Sequence, residues 1–153
     1  MNAFQQAKAV FVTPPGAYVD NTAFTTTTID TLGYHKLAIY FGIGDSDIAM
    51  TTLKVTESDD SGMSGASDIT GLVYGTSTNP DTGSTSALPT ATDDNKIFAF
   101  FVNLQGRKRY IDVNATAGNG TNGTYGTCIA FLYNGDNIPE NATERGLAAN
   151  LIA

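Results

Sequence analysis

The sequence predicts an all-β protein, a single-domain antiparallel β-sandwich of jelly-roll-like form. Thr, Ser, Asn and Gly are abundant and only 15% of the 153 residues are charged, a composition that favours short strands joined by polar turns. Short apolar stretches recur between clusters of turn residues, as they do in sandwich proteins. The length suits one domain, residues 1–153, with a hydrophobic core of its own.

Seven stretches are predicted to be strands, because each combines β-forming residues with bounding Gly, Pro, Asn, Asp or Ser. Alternation is clearest in the second stretch, where Leu37, Ile39, Phe41 and Ile43 are every second residue. The third stretch alternates in the same way, which indicates a sheet with one face in water. In chain order the predicted strands cover residues 6–13, 33–43, 51–57, 68–74, 96–104, 109–117 and 124–133.

The two ends of the chain are predicted to differ from the strands between them. Pro14 and Pro15 interrupt the N-terminal stretch, and adjacent prolines favour extended chain. We therefore expect residues 1–28 to include an extended arm that lies on another surface. Near the C-terminus, the sequence allows one short helix that begins near Pro139, because proline fits a first helical turn.

Three of the eight basic residues stand side by side in the segment NLQGRKRYIDV. We expect Gln105 and Gly106 to form the two-residue turn of a hairpin, with Gly106 supplying a positive φ. One face of that hairpin would be apolar and point into the core. On this face the register pairs Phe98 with Val113, Phe100 with Ile111 and Val102 with Arg109.

The other face of the predicted hairpin is too apolar for a surface left in water. We expect another sheet, the N-terminal arm or a neighbouring subunit to cover it. The basic triplet is divided between the two faces and is interpreted first as a solvated strand end, then as an ionic contact with an acidic neighbour, and last as a nucleic-acid contact. The predicted partner interface consists of Ile97, Phe101, Arg107, Lys108, Arg109 and Tyr110.

The sequence predicts no enzyme activity, cofactor or metal site. His35 is the only histidine, and without a nucleophile or carboxylate motif around it we interpret it as a packed or rim residue. Paired aspartates such as Asp45 and Asp47 lie in predicted loops without the spacing of a calcium loop, so we expect them to cap turns. Cys128 is the only cysteine and is predicted to be a small buried residue.

The formal net charge of −7 opposes binding to nucleic acid or to an anionic membrane, because both depend on summed positive potential. The first residues, MNAFQQAKAVFV, form neither a charged leader nor a long apolar segment. We therefore expect the protein to be made in the cytoplasm of the cell that produces it.

A carbohydrate-binding or adhesion module is the alternative from another functional class. Such modules stack sugars on exposed aromatic rings, and Tyr18, Tyr74 and Tyr125 lie near predicted loops. Packing in the core or at an interface explains these tyrosines equally well.

A family resemblance lies in two stretches of strand-and-turn pattern, IDTLGYHKLAIYFGIGDSDIAMTTLKVTESDD and ATDDNKIFAFFVNLQGRKRYIDVNATAGNGTNGTYGTCIAFLYNGDNIPENATERG. They resemble head decoration proteins, or cement proteins, of tailed bacteriophages. The resemblance implies a compact β-sandwich or jelly roll, commonly a homotrimer. It also implies a place on the exterior of the virion, between major capsid protein subunits, where the protein stabilises the shell. It carries no binding motif at the level of single residues.

Overall fold

The computed structural model describes residues 3–152. After a 3₁₀ helix at Ala3–Gln6, the strands in chain order are β1 Lys8–Val19, β2 Ile29–Asp30, β3 Tyr34–Ile43, β4 Thr52–Ser58, β5 Ser67–Val73, β6 Ile97–Asn103, β7 Tyr110–Thr116 and β8 Thr124–Gly135. They form two four-stranded antiparallel sheets. The first sheet has the order β1-β8-β3-β6 and the second has the order β2-β7-β4-β5. The predicted all-β sandwich is confirmed.

The strands pair in a nested order, β1 with β8, β2 with β7, β3 with β6 and β4 with β5. Successive pairs alternate between the two sheets, and the pairs β3 with β8 and β4 with β7 complete each sheet. This order is compatible with the predicted jelly-roll-like arrangement of an eight-stranded double sheet. It leaves β1 and β6 as the two edges of the first sheet.

The core lies between the sheets, where every second residue of each central strand is buried. Leu37, Ile39 and Phe41 of β3 are fully buried and share one cluster with Ile111 of the second sheet. The ring of Phe24 packs edge-on against Phe41, with the centroids 5.6 Å apart. Each such side chain contributes roughly 1.5–3 kcal/mol by leaving water. The alternation predicted for β3 is therefore confirmed.

All seven predicted strands are present, whereas β2 was not predicted and β1 continues beyond its prolines. The register of β1 against β8 shifts between Phe11 and Thr13 and again between Thr13 and Ala17, the interval that contains both prolines. Prolines are tolerated there because β1 is an edge strand, whose outer N–H groups need no ladder partner. The N-terminal segment is extended, as predicted, but the surface that it lies on is its own sheet. Residues 1 and 2 of the predicted arm lie outside the described residues.

The predicted hairpin between β6 and β7 is wrong, because these strands lie in different sheets. The turn itself exists, since the Arg107 N–H donates to the Leu104 carbonyl at 3.0 Å and Gly106 has a φ of 76°. It carries the chain from the first sheet to the second instead of reversing it within one sheet. Phe100 and Ile111 are both buried, as predicted, but they line the core from opposite sheets.

The C-terminal segment turns back on the start of the chain. Residues 142–146 form turns, and no α-helix occurs within residues 3–152, so the helix that the sequence allows near Pro139 does not form. The buried Arg145 donates from Nε to the Gln5 carbonyl at 2.7 Å and from Nη2 to the Pro139 carbonyl at 2.8 Å. Across the same described residues, no helix is long and apolar enough to cross a membrane.

Candidate functional site

The outer face of the first sheet is rich in aromatic residues although it points away from the core. Outward residues of neighbouring strands align in rows, so that Phe131 of β8 and Phe101 of β6 both stand beside Ala38 of β3. The burial pattern of β8 shows the same division, because its even-numbered residues from 128 to 132 are buried and the residues between them face outward. The aromatic face comprises Phe4, Phe11, Tyr18, Tyr40, Ile97, Phe101, Tyr125 and Phe131.

Four rings form a continuous chain across this face. Phe4 stands edge-on to Phe131 at 6.4 Å, Phe131 to Tyr40 at 6.1 Å, and Tyr40 to Phe101 at 6.1 Å between centroids. These rings line a shallow groove of about 200 Å³ together with Ala38 and other neighbours. The edge-to-face contacts favour this arrangement of the rings, because the geometry is favourable for aromatic pairs.

The aromatic face is largely exposed to water. Phe4 is 78% exposed, Ile97 69% and Phe101 65%. Taking roughly 200 Å² for a whole aromatic residue, the five exposed aromatic residues of the face leave on the order of 600 Å² uncovered. The largest apolar patch of a typical monomer is roughly 300–600 Å². This face is therefore at or above the upper end of that range, before Ile97 and the partly buried rings are counted.

The outer face of the second sheet is polar by contrast. Lys54 of β4 forms an ion pair with Asp68 of β5 at 2.8 Å. Beside it the Asn114 amide of β7 donates to the Thr56 hydroxyl at 2.9 Å. These groups satisfy one another along the strands, so this sheet has the wet outer face that is usual for an antiparallel sandwich. The two outer faces of the molecule thus differ in chemistry.

The two arginines of the basic triplet are paired with carboxylates of the same chain. Arg109 makes a bidentate contact with Asp30, with Nε and Nη2 at 2.8 and 2.7 Å from the two carboxylate oxygens. The hydrogen bond from Arg109 lowers the pKa of Asp30 below its ordinary value, although partial burial opposes the shift. Arg107 contacts Glu57 at 3.4 Å. Through these contacts, both guanidinium groups link the segment before β7 to β2 and β4.

The six predicted interface residues are divided by the fold. Ile97 and Phe101 lie on the aromatic face, whereas Tyr110 begins β7 in the other sheet. The guanidinium of Arg109 lies over the ring of Tyr110, 5.0 Å from its centroid, and the backbone N–H of Lys108 donates to Glu57 at 3.2 Å. The predicted grouping of Tyr110 with Ile97 and Phe101 on one face is therefore wrong, for the same reason as the hairpin.

Half of the aromatic face was missed by sequence reasoning. The missed residues are Phe4, Phe11, Tyr40 and Phe131. A signal was present in the segments LAIYFGI and CIAFLY, which are apolar at consecutive positions. Strands that are apolar at consecutive positions are usually covered on both faces. The sheet order is needed to show that the outer faces of these two strands lie side by side.

The groups considered for catalysis or metal binding make structural contacts. His35 Nε2 lies 2.9 Å from an Asp136 oxygen at the surface. Asp47 accepts backbone N–H groups from Thr121 and Asn122 at 2.6 and 2.8 Å, and these bonds lower the pKa of Asp47 against a smaller effect of burial. Within residues 3–152, no three His, Cys, Asp or Glu side chains form a group that could hold a metal ion.

Cys128 is buried among core residues of β8, as predicted. Burial raises the pKa of its thiol to about 12, with a further contribution from the charge of Asp112. The nucleophilic thiolate is therefore scarce at neutral pH.

The three tyrosines considered for sugar binding have different environments. Tyr74 packs against Phe98 and Phe100, its hydroxyl donates to the Ala99 carbonyl at 3.0 Å, and burial raises its pKa. It borders a second groove of about 480 Å³ between β5 and β6. Tyr18 and Tyr125 are exposed instead, with ring centroids 4.8 Å apart at one end of the aromatic face.

No family model, curated protein or solved structure matches this chain. The functional interpretation therefore depends on the geometry described above and on the resemblance in strand-and-turn pattern.

Proposed function

We propose that this protein is a structural protein of a bacteriophage virion that decorates and stabilises the capsid. It binds between major capsid protein subunits on the capsid exterior and acts as a homo-oligomer, a trimer by the family resemblance. It reinforces the capsid shell through non-covalent contacts. Each contact is weak, but one oligomer makes several of them at once, which increases the overall affinity.

The aromatic face is the observation that carries this proposal. An antiparallel sheet that packs on one side and meets water on the other has polar residues outside. Here Phe101 and Phe131 occupy outward positions in neighbouring rows, and exposed apolar surface of this extent marks a site of protein association. A protein whose main exposed feature is a contact surface is suited to assembly.

The distribution of charge also favours an exterior position. The net charge is −7, and both arginines of the basic triplet are engaged with Asp30 and Glu57. Little positive potential is left to attract packaged DNA, because phosphate binding depends on uncompensated Lys and Arg.

Capsid binding can be tested with expanded capsids of the phage that encodes this chain, prepared without the protein. We expect the purified protein to co-sediment with them at a saturating stoichiometry and to raise the temperature at which the shells open. Capsids that already carry the protein serve as the control and should bind no more. Failure of the protein to co-sediment with bare expanded capsids would overturn the proposal.

A carbohydrate-binding or adhesion module is the second candidate, and the exposed pair of Tyr18 and Tyr125 favours it. Two tyrosine rings at one end of a sheet can stack on a sugar. A glycan array separates the two proposals: this candidate predicts binding to a defined glycan that Tyr125→Ala abolishes, and an array without a hit removes it.

A further inference from the structure

We propose that the aromatic face is where copies of this chain bind each other. The inference deepens the proposed function, since it names the partner of this face within the homo-oligomer. Each copy buries its first sheet against another copy, which leaves the polar second sheet and the loops at the surface of the assembly.

The area of the face agrees with a protein interface. A stable interface buries roughly 800 Å² on each partner, and the five exposed aromatic residues alone leave on the order of 600 Å² in water. Ile97 and the partly buried Tyr40 and Phe131 supply further apolar surface. The centres of interfaces are enriched in aromatic residues and depleted in charge, which is the composition found here.

The distribution of charge favours a second copy as the occupant. A copy that approaches has the same charge of −7, so two molecules repel wherever acidic groups meet. Among the outward positions that pair across β8, β3 and β6, Lys36 is the one charged residue and no acidic residue occurs. This surface can therefore meet its own copy without bringing carboxylates together, whereas the outer face of the second sheet carries Asp112.

The described chain does not cover this face with a segment of its own. Phe4 reaches its rim, but Phe101 and Ile97 are still more than half exposed with residues 3–152 in place.

The test is sedimentation equilibrium of the purified protein and two variants over a wide range of concentration. Ile97→Lys places a charge on the aromatic face, while Leu32→Lys makes the same change at a residue of similar exposure, 67% against 69%, in the turn between β2 and β3. Both variants lower the net negative charge equally. Circular dichroism and thermal melting confirm that each variant is folded.

We expect the native protein to sediment as a homo-oligomer and Ile97→Lys to raise its dissociation constant at least about tenfold, because a lysine charge would be buried where an apolar side chain was. Leu32→Lys should associate like the native protein. A native protein that is monomeric at all concentrations would overturn the inference, and so would equal effects of the two variants. Capsid binding by a monomer would contradict self-association and leave capsid binding standing, whereas a homo-oligomer that ignores capsids would contradict capsid binding and leave self-association standing.

Discussion

At the scale of single residues, the basic triplet shows how position determines the role of a charge. Arg107 and Arg109 are neighbours of a turn between the two sheets, and each reaches a carboxylate on another element. The sequence indicates that the triplet is divided, but it does not identify Asp30 or Glu57 as the partners. Those contacts depend on the order of strands in the second sheet, which no local pattern determines.

The contact between Arg109 and Asp30 predicts a specific titration. In the folded protein the pKa of Asp30 lies below its ordinary value of 3.8, first because Arg109 donates hydrogen bonds to the carboxylate. Arg109→Gln should raise that pKa towards the ordinary value, and Arg107→Gln should leave it unchanged. Carbon-13 NMR of the carboxyl groups during a pH titration measures both.

The lowered pKa of Asp30 also determines how this contact changes the stability of the protein with pH. Because the pKa is lower in the folded state, the contact stabilises the protein above the pKa of the unfolded chain and is lost as the pH falls through the lower folded value. An Asp30 pKa that is the same in the native protein and in Arg109→Gln would contradict the contact.

At the scale of elements, the periodicity of apolar residues predicted which segments form strands and which residues face the core. It did not predict which strands pair with each other. The alternation of β6 and β7 identifies their core-facing residues, and Phe100, Val102, Ile111 and Val113 are buried as predicted. A turn of two residues favours a hairpin, but here the turn spans the edge of the sandwich. Both arrangements bury the same side chains, so the sequence pattern cannot distinguish them.

The turn between β6 and β7 predicts a cost for one substitution. Gly106 has a φ of 76°, and a Cβ placed there would meet nothing within 4 Å. Gly106→Ala should therefore lower the free energy of unfolding by about 1 kcal/mol through backbone strain alone. Urea denaturation measures the change.

Gly106→Asn is the matched comparison for this substitution. Asparagine tolerates a positive φ better than alanine, and Asn95 and Asn134 adopt φ values of 61° and 55° in this chain. We expect Gly106→Asn to be more stable than Gly106→Ala. Equal stability of the alanine variant and the native protein would contradict the turn geometry.

The link between the two ends of the chain predicts a larger effect. Arg145 is buried and donates to the carbonyls of Gln5 and Pro139. Arg145→Gln should lower the free energy of unfolding by about 1.5–3 kcal/mol, because hydrogen bonds from a charged group are lost and carbonyls are left unsatisfied. Urea denaturation is again the measurement. Arg107→Gln, at the surface, should change the free energy of unfolding by less than about 0.5 kcal/mol. Equal losses in the two variants would contradict a stabilising role for the buried Arg145 contacts.

At the scale of the whole molecule, the main feature is the difference between the two outer faces. The sequence predicts a sandwich and an apolar second face that something must cover, and Ile97 and Phe101 belong to that face as expected. Tyr110 does not, and Phe4, Phe11, Tyr40 and Phe131 were missed. Those residues come together through the order β1-β8-β3-β6, in which the first and last strands of the chain are neighbours, and such long-range pairing leaves no local signal.

The proposed assembly has a simple physical logic at this scale. Copies of an acidic protein repel one another, so they associate through surfaces that lack acidic groups, and the first sheet supplies such a surface. The polar second sheet and the loops are then left for contact with other proteins or with water.

An electron-microscopy map of the virion to which we propose this chain belongs tests the central claim most directly. We predict density for an eight-stranded sandwich on the outside of the capsid, seated between major capsid protein subunits, with the side chain of Phe101 covered by protein. A map in which the capsid exterior has no such density, or in which the aromatic face points into solvent, would contradict it.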